Sequence, residues 1–521
     1  MSATLRGGRA SAGLYTGEST GITIDGKTTA MAKALLRLAL VTAVAAAEGA
    51  PAAGAGEQVH EVLRARAEAP AEAAAGGGGA FGVGAGHRLF YFTGPDNAPV
   101  VRALPDVDGD GRDEVLVGID ESGTDNVFCL DGASSGAATV VWSVETADGA
   151  SGGSPYGDQS LVPASDADGN GFADVLAGTA WGGRTAYRLD GSNGAVHWRF
   201  DTYLTADSGW VYSLAELADV SGDGVPEVAF GVGSDSDSVY LIDGASGGVG
   251  QATVRWRYQA ADAILSVRNL GDASGDGKDD VLAAAGDFAQ QILALDGGTG
   301  SSTGNLLWQY PTGVTAYAVG VLPDVTGDGV AEALAVLWTT NGSAIRALDG
   351  AAGTLVWAST EVPEFGVMVD LLEDTTGDGV PEVIVSSFEN AVILLDGATG
   401  VRLWRTPVGT LNGGDVWSAR AIGDLDGDGH EDVVAGSFDY RVYALDGGSG
   451  EILWAYDTGN RVFSVQPLDD LNGDGRPEVA AGTQDTNSNV VVHVLDGAGG
   501  VVFADGFESG DTGAWSATTP P

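Results

Sequence analysis

The chain is 521 residues long, with 44% apolar composition and 72 acidic against 24 basic side chains, a formal charge of −48. So acidic a surface excludes nucleic acid and anionic membrane as partners held by general electrostatic attraction. A single cysteine, Cys129, excludes a disulfide within the monomer and a thiolate zinc site.

Residues 1–30 precede a second methionine and are expected to be an over-extended start without a fold. From Met31 the run MAKALLRLALVTAVAAAEGAPA sets Lys33 and Arg37 before the apolar stretch Leu38–Ala47. Residues 31–47 therefore read as a secretory signal peptide, with Ala45–Ala47 as cleavage context. The stretch is too short for a membrane span, and no later segment is long and apolar enough. The expected product is an exported monomer, secreted or at the cell surface, without membrane insertion. Residues 48–86, rich in Ala, Gly and Glu with GGGG at 76–79, read as a flexible linker.

Residues 87–505 hold eight copies of one nine-residue phrase, such as DVDGDGRDE from Asp106 and DLDGDGHED from Asp424. Their starts lie 60, 53, 53, 52, 50, 50 and 46 residues apart, a period that points to a solenoid or a propeller. Oxygen-bearing side chains fall at places one, three, five and nine, with Gly at six. A calcium ion takes alternate oxygens in this way, with the carbonyl of place seven, while glycine permits the turn. The candidate ligands are Asp106, Asp108, Asp110, Arg112 and Glu114 in the first loop, and Asp166, Asp168, Asn170, Phe172 and Asp174 in the second. The third has Asp219, Ser221, Asp223, Val225 and Glu227; the fourth has Asp272, Ser274, Asp276, Lys278 and Asp280. The fifth has Asp324, Thr326, Asp328, Val330 and Glu332; the sixth has Asp374, Thr376, Asp378, Val380 and Glu382. The seventh has Asp424, Asp426, Asp428, His430 and Asp432; the eighth has Asp470, Asn472, Asp474, Arg476 and Glu478. Up to eight Ca²⁺ ions are expected.

Each unit has an apolar run before the loop (VFSVQPL), one after it (EVAAG), a third ending in Asp-Gly (VYALDG) and a fourth carrying Trp (EILWAYDT). Alternation and β-branched enrichment favour strands. The fold class is all-β: an eight-bladed propeller of four-stranded antiparallel blades. Trp454 precedes Asp470 by 16 residues, and 16 before Asp106 lies Phe90, in RLFYF. An N-terminal strand closing the last blade is therefore preferred, with Val501–Phe503 as the competing edge. Residues 506–521 form a C-terminal tail.

The loops resemble the integrin-α-type propeller repeats known as FG-GAP repeats. Segments such as VYALDGGSGEILWAYDTG are similar to the repeat of quinoprotein-like propellers. Literal Phe-Gly and Gly-Ala-Pro signatures do not occur inside the repeats. The vicinal disulfide of the quinoprotein enzymes is impossible with one cysteine.

Trp142, Trp198, Trp256, Trp308, Trp357, Trp404 and Trp454 recur at one place per repeat and are expected in the packing between blades. The aspartates of the Asp-Gly ends, from Asp131 to Asp496, are expected to be turn residues. Cys129 is expected in the core, and the His430 imidazole in solvent.

Spacing from Trp to the next loop lengthens at 143–158, 199–210 and 405–415. These insertions lie on the disc face away from the calcium loops, where Tyr156, Tyr203, Trp210 and Asp415, with Trp181 and Trp338, are the candidate partner contacts. The leading function is a calcium-stabilised module binding a protein or glycan, with no catalytic constellation. The alternative is a quinone-dependent dehydrogenase or a calcium-dependent polysaccharide lyase on the same frame.

Overall fold

The computed structural model describes residues 84–500, except 121–124, 147–158, 181–182, 206–208, 234–236, 249–250, 287, 340–342, 363–364, 410–413 and 485–488. The expected start, the signal peptide, most of the linker, the tail, Val501–Phe503, Tyr156 and Trp181 lie outside the described residues.

Each repeat folds into four antiparallel strands, as in blade four: Ile264–Gly271, Asp280–Ala285, Gln291–Asp296 and Asn305–Pro311. The second strand of every blade, such as Glu114–Gly118 or Asp432–Ser437, is buried along its whole length, save for the half-buried Trp338 that ends the one in blade five. Blades cover it on both sides, so its sequence is continuously apolar rather than alternating. The first strands of successive blades pack on one another and line the axis of the ring. Eight such blades make an all-β propeller; among the described residues the one helical element is a short turn, Thr202–Leu204.

The N-terminal strand Gly84–Thr93 is the outer strand of blade eight, antiparallel to Val490–Gly500. Phe90 pairs with Val494 as Trp454 pairs with Ala444, so it fills the place tryptophan holds in the other seven blades. It is completely buried, at 1% exposure. The same strand pairs in parallel with Trp454 and Ala455 of blade seven and with Gly136 and Ala137 of blade one. The chain end therefore joins three blades at the seam.

Two sets of hydrogen bonds lace the blades together. Near the axis, Ser213, Ser266, Ser418 and Ser464 each accept from a backbone N–H of the next blade; Val267 N donates to Ser213 Oγ at 3.0 Å. Farther out, the indoles of Trp142, Trp256, Trp308, Trp357, Trp404 and Trp454 donate to the Asp-Gly carbonyl of the following blade. The packing role expected of the tryptophans is met in all seven, although the Trp198 indole N–H is buried without an acceptor. Cys129 is likewise a core residue, and burial pushes its thiol pKa up.

Candidate metal loops and ligand face

The loops join first to second strands and share one face of the disc. In each, the glycines at places four and six have positive φ, for example 87° at Gly109 and 89° at Gly111. Only this left-handed backbone turns both amides inward, and glycine adopts it without steric penalty. The carboxylate at place one collects these amides: Gly109 N donates to Asp106 Oδ1 at 2.6 Å and Gly111 N to Oδ2 at 2.8 Å. The backbone donors hold the pKa of Asp106, Asp166, Asp219, Asp324, Asp374 and Asp470 below the usual carboxylate range.

Place nine lies at the start of the second strand, and its carboxylate is fully buried in all eight blades. Desolvation pushes Glu114 and Glu478 up to about 8, Asp432 to about 7 and Asp280 to about 6. Oε1 of Glu114, Oε1 of Glu227 and Oε2 of Glu332 are buried without a hydrogen-bond partner. A buried acceptor without a donor is costly, and a hard cation would satisfy it. The donor set therefore fits calcium: oxygens only, with places one, three and nine converging. In the first loop one oxygen each from Asp106, Asp108 and Glu114 lies within 4.8 Å of the others, and Asp424, Asp426 and Asp432 repeat this in the seventh.

The aspartates of the Asp-Gly ends do more than was expected of turn residues. Asp131 does hold its turn, accepting from Ala133 N at 2.7 Å. It also gathers with Asp108 and Asp110, as Asp446 does with Asp426 and Asp428. His430 departs from expectation too: its side chain is half exposed, but Nδ1 meets Glu373 Oε1 of blade six at 2.9 Å, which raises its pKa.

The opposite face corrects the expected partner patch. Trp210 is 4% exposed, opens the first strand of blade three and packs edge-on to Tyr212, 6.1 Å between ring centroids. The inserted segment ends before it, so it belongs to the core. Asp415 is also buried, at the start of the first strand of blade seven. Tyr203 is exposed on the short turn capped by Asp201, and Trp338 is half-buried, stacked on Tyr317 at 5.4 Å and 9°. Trp210 and Trp338 belong to one apolar cluster with Tyr212 and Tyr317, and the exposed Tyr203 is not part of it.

A partly buried cluster of aromatic rings occupies that face: Phe388, Phe438 and Phe463 are buried, and Trp338, Phe365 and Trp417 are half-buried. In the first strands of six blades a bulge turns one unpaired residue to the axial mouth: Tyr212, Leu265, Tyr317, Val367, Trp417 and Phe463. Trp338, Phe365, Phe388, Trp417, Phe438 and Phe463 then run ring against ring across blades five to eight, at 5.1–6.4 Å. Beneath the mouth is an axial cavity of about 90 Å³, bordered by Tyr212, Tyr317, Trp417, Phe463 and the serines. The indole N–H groups of Trp338 and Trp417 are buried and have no acceptor among the described residues. The sequence signal for this cluster was an aromatic at the second or third place of several first strands, hidden among ordinary strand residues.

Residues 382–503 match the profile of the λ-carrageenase β-propeller domain. Protein FAM234B of Gallus gallus is 27% identical over 151 residues, 26% of this chain and 23% of that protein. The matched segment thus spans about a quarter of that relative. Among solved structures, Saccharomyces cerevisiae Sqt1 aligns with a TM-score of 0.52 at 14% identity, over 79% of this chain and 98% of that one. The computationally designed Ika8 protein aligns with 0.51 at 14% identity, over 78% and 99%. At that identity the likeness is one of fold: this chain is a β-propeller.

Proposed function

We propose that this chain is an exported, calcium-stabilised propeller of FG-GAP-like repeats that binds a glycan at the aromatic mouth on the face away from its loops. The observation that carries the reading is the run of aromatic rings from Trp338 to Phe463 around the axial opening. Aromatic faces pack against the apolar C–H faces of sugar rings, and the half-buried rings of Trp338, Phe365 and Trp417 are the ones open to such a ligand. The match of residues 382–503 to a propeller domain of λ-carrageenases supports a polysaccharide as ligand class over a protein. Secretion or display at the cell surface follows from the leader at 31–47.

The calcium-loaded propeller should be retarded in gels containing a polysaccharide, without release of product. Trp417→Ala should abolish that retardation while Tyr203→Ala, on the exposed turn, leaves it unchanged. Equal retardation of Trp417→Ala and the parent would overturn this placement. Unsaturated oligosaccharides would identify a lyase, and quinone absorbance a dehydrogenase.

A further inference from the structure

The loop of blade two differs from the others in what surrounds it. Arg188 stands on its third strand opposite Trp198, where the other blades have Cys129, Leu241, Ala294, Ala347, Leu394, Ala444 and Val494. A charged side chain occurs at this register in no other blade, and the Arg188 side chain is 0% exposed. Its Nε donates to Asp174 Oδ2, place nine of the loop, at 2.8 Å. Its Nη2 donates to Glu216 Oε1 of blade three at 3.1 Å and to the carbonyl of Ser165.

Asp174 is engaged on its other side as well. Its Oδ1 meets His197 Nε2 at 3.2 Å, and Ala167 N donates to Oδ2 at 3.1 Å. Asn170 at place five turns its amide to Asp190, Nδ2 to Oδ1 at 3.2 Å. In three other blades place nine keeps an oxygen without a hydrogen-bond partner, in Glu114, Glu227 and Glu332. In the remaining four, Asp280, Glu382, Asp432 and Glu478, both oxygens accept from neutral donors, and among the described residues none of them meets a buried guanidinium. Blade three shows a looser relative: Arg255 Nε lies 3.6 Å from Glu227 Oε1 on a side chain 35% exposed, free to swing into solvent.

Calcium needs the place-nine carboxylate as an unshared anionic ligand. A guanidinium holds a carboxylate by a charge-assisted hydrogen bond and cannot be deprotonated out of the way. Buried, it has no solvent to retreat to. We propose that blade two is closed by an internal cation, the Arg188 guanidinium, and that its loop takes no calcium. Arg188 then ties the loop to Glu216 of blade three by a strut that does not depend on metal. This inference rests on the calcium reading of the other loops.

Equilibrium dialysis with calcium alone counts the ions bound per chain. Asp166→Ala should leave the count unchanged, Asp324→Ala should lower it by one, and Arg188→Ala should raise it by one. Amide exchange on the whole protein gives a local measure. A chelator should accelerate exchange at 325–331 and leave 167–173 unchanged. If Asp166→Ala loses one ion, or the chelator frees 167–173, the proposal is overturned. Arg188→Ala removes a buried charge and could fail to fold; the Asp166→Ala arm and the exchange measurement decide without it. No ion bound by the parent chain, with no response to chelator anywhere, would overturn the calcium reading itself, a pattern distinct from a loss confined to blade two.

Discussion

The indole of Trp308 in blade four donates to the carbonyl oxygen of Gly350 in blade five at 2.6 Å. Gly350 can receive it because it has no side chain: a Cβ there would lie 1.9 Å from the carbonyl oxygen of Ala331, at place eight of the fifth loop. The same glycine in blades four and seven, Gly297 and Gly447, donates its N–H to the place-nine carboxylates Asp280 and Asp432, each at 3.0 Å. One small residue thus joins the loop, its own third strand and the preceding blade.

Trp308→Ala should cost about 3–5 kcal/mol of stability through lost area and the cavity left behind. Trp308→Phe should cost about 1 kcal/mol beyond the volume change, the worth of the hydrogen bond. Gly350→Ala should be more damaging than Trp308→Phe, since backbone must move. Urea unfolding of the three variants checks the order.

Removal of calcium should lower the melting temperature markedly. Binding to the native state alone stabilises by RT ln(1 + [L]/Kd) at each site, so several sites compound. Magnesium should restore little, because it prefers a tighter octahedral shell. Scanning calorimetry in chelator, calcium and magnesium measures this, and an unchanged curve in chelator would make the loops metal-free turns.

The loops should differ in affinity. Those at Asp106 and Asp424 carry four carboxylates; in the fifth, Thr326 replaces one and its hydroxyl turns to Asp324 Oδ1 at 3.4 Å. Affinity rises with ligand charge. Asp110→Ala should therefore remove more of the tightest binding than Asp328→Ala in calcium titrations.

The seam of the ring should be sensitive to acid. His493 pairs with Tyr91 of the N-terminal strand, is 2% exposed, and has Arg88 Nη1 3.4 Å from its Nδ1. Burial, and secondarily Arg88, lower its pKa from 6.5 to about 3. Between these values the unfolded chain binds more protons than the folded one. Stability present above pH 6.5 is thus lost as pH falls toward 3. At pH 5 this one group removes about 2 kcal/mol. His493→Gln should flatten that part of the stability profile, read from urea midpoints at pH 7 and pH 5.

Much of this was legible in the residue order. Period, loop phrase and Trp spacing encode local events that repeat within some fifty residues, so they survive in sequence. Phe90 could be placed on the outer strand of the last blade by counting, because closure reuses the geometry of every other blade; the structure pairs it with Val494. Place four of the loop, glycine in all eight copies, was equally visible and carries half of the amide cradle around place one.

What the sequence determined by itself is the repeat: eight four-stranded blades, eight oxygen-rich loops and a ring of packing aromatics, all set by hydrophobic period and turn chemistry. Only the tertiary structure decided what meets across blades and around the axis. Trp210 looked like an inserted surface aromatic until the strand was seen to begin with it and bury it. Trp417 and Phe463 looked like ordinary strand residues until a bulge turned them to a shared mouth. Arg188 is separated from Asp174 by a strand turn and from Glu216 by a blade boundary, and only the packed blades bury Arg188 and Asp174 together and bring Glu216 against them. Burial and charge compensation are properties of neighbours in space, which a linear period cannot carry.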